Sequence, residues 1–236
     1  MSIFHRMNRR QLLGLGALTA GAAGIDTLLG AGVTGVDAAV MRPGEFDQSF
    51  LAKRADIRQI WDYTSIDQVQ TGIGAMKNAM NAYQFSYRKS HYLVIDLRGP
   101  SAIIYALDDA MWATYKLGAK YQIFDTVGGS FATANPLYKR VNTDNGALSP
   151  DNTKSLYQDA SLAALQQRGA HIAACHDALQ SQAALAVKDG RAATGMTAAQ
   201  VFADFSQHLV PGAQQTPSGS SLIAVAQQLG FTYAKQ

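Results

Sequence analysis

Apolar positions recur along this chain with two periods that take turns. Residues 56–63 (DIRQIWDY) set Ile57, Ile60 and Trp61 in an irregular apolar pattern that predicts a first strand. Residues 65–83 change period. Ile66, Val69, Ile73, Met76, Met80 and Tyr83 fall three or four apart, which predicts one helical stripe, with Thr64 or Ser65 as cap and Asp67 in the first turn. Residues 91–97 (HYLVIDL) form a nearly continuous apolar run, the signature of a central strand buried on both faces. A helix is predicted over 101–116, with Ile103, Ile104, Leu107, Met111 and Tyr115 inward and Leu117-Gly118 closing it. Within it Asp108 reads as solvent-facing and Asp109 as a structural hydrogen-bonding group, since adjacent carboxylates on a helix point about 100° apart.

The second half repeats the alternation. Residues 121–126 read as a strand. Residues 127–153, with Gly128, Gly129, Pro136, Gly146 and Pro150, read as a long irregular loop of the kind that carries function. Helices are predicted over 155–168, 177–188, 198–208 (capped by Thr197) and 218–229. Residues 209–212 read as a loop or short strand, and residues 231–234 as the last strand. Strands separated by helix-length segments imply a mainly parallel sheet with helices on both faces.

One stretch stands out, Arg168-Gly169-Ala170-His171-Ile172-Ala173-Ala174-Cys175-His176-Asp177. A helix ends at Gly169, a buried strand runs from His171, and Cys175 sits on the turn into the next helix. That is the carboxyl edge of a sheet, where α/β folds build sites. Cys175 is the only cysteine. A helix N-terminus lowers a thiol pKa, and His176 and His171 lie close in sequence. The same residue is equally at home in a core, and neighbours on an extended strand point apart. A Cys/His/His metal set drawing on His91 or His208 lacks a second cysteine, and none is expected. Gly99 and Ser101, at the end of the central strand, are candidates to hold an anion at a helix start, although Pro100 removes one donor. No glycine spacing matches a dinucleotide or phosphate loop, so no cofactor is expected.

Composition fits one ordinary domain, with 236 residues, 47% hydrophobic and 16% charged. A formal charge of +3, with basic residues clustered only at the N-terminus, speaks against nucleic acid. That N-terminus has signal-peptide anatomy. Arg6 and Arg9-Arg10 are followed by the weakly apolar, Gly- and Ala-rich run 12–24 and by small residues before a cleavage point after Ala38. Asn8-Arg9-Arg10-Gln11-Leu12-Leu13 resembles the twin-arginine export motif, and the run is too short and Gly-rich to span about 30 Å of hydrocarbon. The expected layout is a signal over 1–38, an extended lead-in over 39–55 and one α/β domain over 56–236. The mature protein is expected to be periplasmic and free of the membrane, and its single thiol has no internal disulfide partner.

Three segments together carry a resemblance. The strand ending at Arg98-Gly99-Pro100-Ser101 leads to Ala106-Leu107-Asp108-Asp109-Ala110-Met111-Trp112. The second segment is Leu165 through Cys175. The third runs from Leu209-Val210-Pro211-Gly212 to Ala226-Gln227-Gln228-Leu229-Gly230-Phe231-Thr232-Tyr233. In this order they resemble exported proteins of the DsrE/DsrF-like family. The resemblance implies a three-layer flavodoxin-like α/β sandwich that forms homo-oligomers and works with a protein partner. In sulfur-relay members a cysteine in the second segment carries sulfur as a persulfide, which here falls on Cys175. The export signal and the 127–153 insert depart from the relay pattern. The alternative is a non-catalytic binding or assembly subunit with a structural cysteine.

Overall fold

The structure is a computed structural model that describes residues 46–125 and 129–235. The export segment read at 1–38, the lead-in before Phe46 and residues 126–128 lie outside the described residues. Five strands form one sheet: β1 (Ile57–Tyr63), β2 (His91–Leu97), β3 (His171–Cys175), β4 (Ala213–Thr216) and β5 (Thr232–Lys235). Their order is β4-β3-β2-β1-β5, and every pair is parallel. The α/β expectation holds, with the sheet parallel throughout.

Alternation along the strands explains the core. Trp61, Leu93, Ile95, Ile172 and Ala174 pack on one face, while Ile60, Val94 and Ala173 pack on the other. The chain steps from β1 to β2, β3 and β4 in one direction, so right-handed crossovers put α1 (Ile66–Asn81) and α5 (His176–Lys188) on the first face. The step from β4 to β5 runs back across the whole sheet. Its helix, α7 (Gly219–Gln228), therefore covers the second face, where Leu222 and Ala226 meet Ile60, Val94 and Ala173. The flavodoxin order is 2-1-3-4-5, with the second strand of the chain beside the first. Here the last strand takes that place.

Helix α1 starts as its sequence predicts. The Ser65 hydroxyl accepts from the Gln68 amide while the Gln68 side chain takes the Ser65 N–H, a closed capping box. Five expectations need correction. The helix expected over 101–116 is broken. A 3-10 turn (Ile103–Ala106) gives way to α2 (Asp109–Thr114) and α3 (Leu117–Tyr121). The break is held by Leu107, which bridges to Leu209, and by Asp108, whose N–H donates to the His208 carbonyl. Asp108 is thus a cap, accepting from Met111 N–H and facing His208, rather than a bystander. Asp109 has the structural role expected, accepting from Asn135 N–H and pairing with Lys139.

Residues 121–126 make no strand of the sheet, because Tyr121 ends α3, Gln122 turns left-handed (φ 55) and Phe124 makes one isolated bridge to Phe131. The helix expected from 155 starts only at Leu162 (α4, Leu162–Gln167). Before it, buried Asp159 turns the chain by accepting from Val141, Asn142 and Ser161. Gly118 does not close a helix. It lies inside α3, where an added Cβ would be 2.1 Å from the Ala132 carbonyl oxygen. The remaining helix, α6 (Ala198–Gln207), is capped by Thr197 as predicted, and it buries Val201 and Phe205. Among the described residues no helix is long and apolar enough to cross a membrane.

Candidate functional site

Cys175 is the last residue of β3 and the cap of α5. Its side chain is 3% exposed. Strand alternation turns its sulfur toward α7, on the side of Ala173, although its apolar contacts join the core of the α1 and α5 face. There the first backbone N–H of α7, from Gly219, donates to Sγ at 3.3 Å. The Ala178 amide, in the first turn of α5, also favours the charged form, although it makes no capping hydrogen bond. Burial outweighs both amides and pushes the thiol above its usual value, and the charges of Asp96 and Asp177 add to that push. The helix start alone predicts a lowered thiol. Desolvation reverses that prediction.

Next to the thiol lies a row of polar groups on the same face. Asp62 and Asp96 are register partners on β1 and β2, and Asp96 pairs in turn with Ala173 on β3. Both acids are buried. Asp62 is fully satisfied. Arg98 grips it with two bonds (Nε to Oδ1 at 2.5 Å, Nη2 to Oδ2 at 2.8 Å), and the Tyr233 hydroxyl donates to Oδ2 at 2.7 Å. Asp96 is the opposite case. It is 0% exposed and neither carboxylate oxygen has a hydrogen-bond partner. Burial and the neighbouring Asp62 charge push its pKa up to about 7, against the pull of Arg98.

Gly219 joins the two halves. A Cβ there would lie 2.3 Å from Arg98 Cβ and 2.9 Å from Asp96 Oδ2, so only glycine lets α7 settle this low. Arg98 Nη1 reaches Ser220 Oγ at 3.4 Å. The carboxyl ends of β1, β2 and β3, together with β5 and the start of α7, therefore meet in one polar cluster. The strand on each side of β1 is reached in an opposite direction, which makes the β1/β5 junction the switch point where open α/β sheets bind ligands. Asp62 and Tyr233 sit there.

The other residues singled out from sequence fall elsewhere. His171 opens β3, four residues and about 13 Å from Cys175 along the strand. It stacks on Phe50 at 4.0 Å, and burial followed by the Lys53 charge pulls its pKa down to about 4. His176 is buried between Phe46 and Phe202, and its Nδ1 accepts from the Gln215 amide at 2.8 Å. It lines a cavity of about 540 Å³ beside α6 and the β4 edge. Gly99 is pressed against Thr64, and Ser101 lies in the turn before a four-residue 3-10 helix, too short to gather an anion. The groups acting on the thiol are instead Gly219, Ala178, Asp96 and Asp177.

Asp62, Asp96, Arg98, Gly219 and Tyr233 were not legible as a site. Their signal was one acid inside each of two apolar strand runs, DIRQIWDY and HYLVIDL. A buried acid in a central strand needs a partner or a purpose. Among the described residues no group of three His, Cys, Asp or Glu side chains is arranged to hold a metal ion. Comparison with protein-family models, with curated proteins and with solved structures finds no match to this chain.

Proposed function

We propose that the protein is an exported carrier of reduced sulfur, working through Cys175 in the manner its resemblance to DsrE/DsrF-like proteins implies. The Cys175 thiolate attacks the outer sulfur of a small persulfide or polysulfide. A bond forms between Sγ and that sulfur, the donor's S–S bond breaks, and the donor leaves as a thiolate that takes up a proton. The observation behind this reading is the Gly219 N–H on Sγ, with a bare carboxyl at the other side of the same glycine. A cysteine that only fills a core needs neither group. Self-association belongs to the same proposal. Val225 and Leu229 on α7 and Tyr233 on edge strand β5 leave apolar surface exposed.

Intact-mass measurement after exposure to inorganic polysulfide is expected to show one added sulfur on the wild type and none on Cys175→Ser. An unmodified wild-type protein would remove the proposal. One observation favours a second reading, a binding or assembly subunit with a structural cysteine. The thiol is 3% exposed and its pKa is raised. On that reading Cys175→Ser leaves partner binding intact.

A further inference from the structure

We propose that Asp96 is the group that accepts the Cys175 proton when the thiol reacts and returns it to the departing donor. The proposal rests on the sulfur-carrying reading and adds a catalytic partner to it. Two features of the geometry carry it. Sγ and the Asp96 carboxyl flank a single residue, Gly219, whose N–H points at the sulfur and whose Cα faces Oδ2. Asp96 is also the one member of the cluster with nothing bound to it, since Asp62 is saturated by Arg98 and Tyr233.

The charge balance explains why such a group is needed. Ionising the thiol by losing its proton to water would place a second anion beside Asp96 in a site closed to solvent. Moving the proton from Sγ to Asp96 leaves the pocket's net charge unchanged. The neutral acid then stops repelling the thiolate it has helped to form. In the reverse half, the donor thiolate takes the proton from the Asp96 carboxylic acid and leaves as a thiol. No electron enters or leaves, because one S–S bond replaces another. Transfer runs directly or through one water, as is usual when resting geometry is long.

The charged and titratable groups around the pair are few. Asp62 on β1 raises Asp96, Arg98 after β2 lowers it, Tyr233 on β5 is engaged by Asp62, and Asp177 in α5 raises the thiol. The first segment of α7 brings only Gly219 and the hydroxyl of Ser220.

The test is the pH profile of Cys175 alkylation by iodoacetamide, read alongside polysulfide loading, for wild type and Asp96→Asn. Wild type is expected to show a first rise in rate centred near pH 7, as Asp96 becomes able to accept, and a second at higher pH as the thiol ionises unaided. Asp96→Asn is expected to lose the first rise and to react roughly a hundredfold more slowly at pH 8. If Asp96 merely repels the thiolate, the variant will react faster than wild type at pH 8, which overturns the proposal. An unchanged profile overturns it too. The two readings separate cleanly. A pH 7 rise that depends on Asp96, without sulfur loading, keeps the proton acceptor and removes the sulfur carrier. Loading with no dependence on Asp96 does the reverse, and a thiol inert at every pH removes both.

Discussion

Asp96→Asn is expected to be more stable than the wild type at pH 8 and nearly equal to it at pH 4. In the folded protein the carboxyl titrates near 7, against an ordinary value of 3.8. Below both values each state holds the proton and burial carries no penalty. Between them the folded state keeps a proton that the unfolded state has lost, so stability falls as pH rises. Above 7 both are ionised and the full penalty stands. At about 1.4 kcal/mol per unit, the wild type gives up on the order of 4 kcal/mol across that window. Asparagine keeps the shape and never charges. Its advantage at pH 8 is expected to be about 2–4 kcal/mol, or roughly 10 °C in midpoint, since the buried amide lacks partners of its own. Thermal melts at the two pH values check this. A variant less stable than wild type at pH 8 would mean that Asp96 is paired and charged in the native protein. The result also bears on the alkylation test, because a better-folded protein that reacts more slowly has lost chemistry rather than structure.

Gly99→Ala is expected to cost more than any other single methyl group near the site. The added Cβ would lie 1.8 Å from the Thr64 carbonyl oxygen and 2.5 Å from its carbon. Both are backbone atoms, so no rotamer change relieves the contact. Thr64 follows β1 and Gly99 follows β2, and the Arg98 N–H to Tyr63 carbonyl bond extends the ladder between them. Relief means parting the carboxyl ends of the two strands that carry Asp62, Asp96 and Arg98. A loss of about 3 kcal/mol or more is expected, beyond ordinary overpacking. Denaturant midpoints measure it, and a near-neutral Gly99→Ala would show that the two turns are not in contact. Sequence pattern marks Gly99 as a place for an anion. In the structure it is a place where two backbones touch.

That contrast runs through the molecule. Strands β1, β2 and β3 were legible because a parallel sheet buried on both faces writes a nearly unbroken apolar run, as in His91–Leu97. Helix α1 was legible from its stripe and its Ser65 cap. The break at Leu107-Asp108 was not, because it depends on Leu209 and His208, a hundred residues away along the chain. The same holds for the site. Cys175 was found from local order alone, a strand end followed by a helix start. Its real neighbours arrive by register and by a long crossover. Asp62 meets Asp96 because β1 and β2 pair in that register, and Gly219 meets Sγ because the chain recrosses the sheet after β4. His171 and His176, its neighbours in sequence, turned instead to Phe50 and to Gln215. On a strand, closeness in sequence places side chains on opposite faces or too far along the same one.

The chain's single cysteine makes the decisive measurement simple, since any thiol label reports Cys175 alone. Native wild-type protein at pH 8 without denaturant should be labelled by iodoacetamide to one equivalent, at a rate proportional to reagent concentration. That rate should not change in low, sub-denaturing urea, the behaviour of a thiol reached by small local openings of the α7 start. Labelling that rises with urea as steeply as global unfolding, or levels off at the global unfolding rate however much reagent is added, would make Cys175 a core residue and remove the sulfur-carrying site.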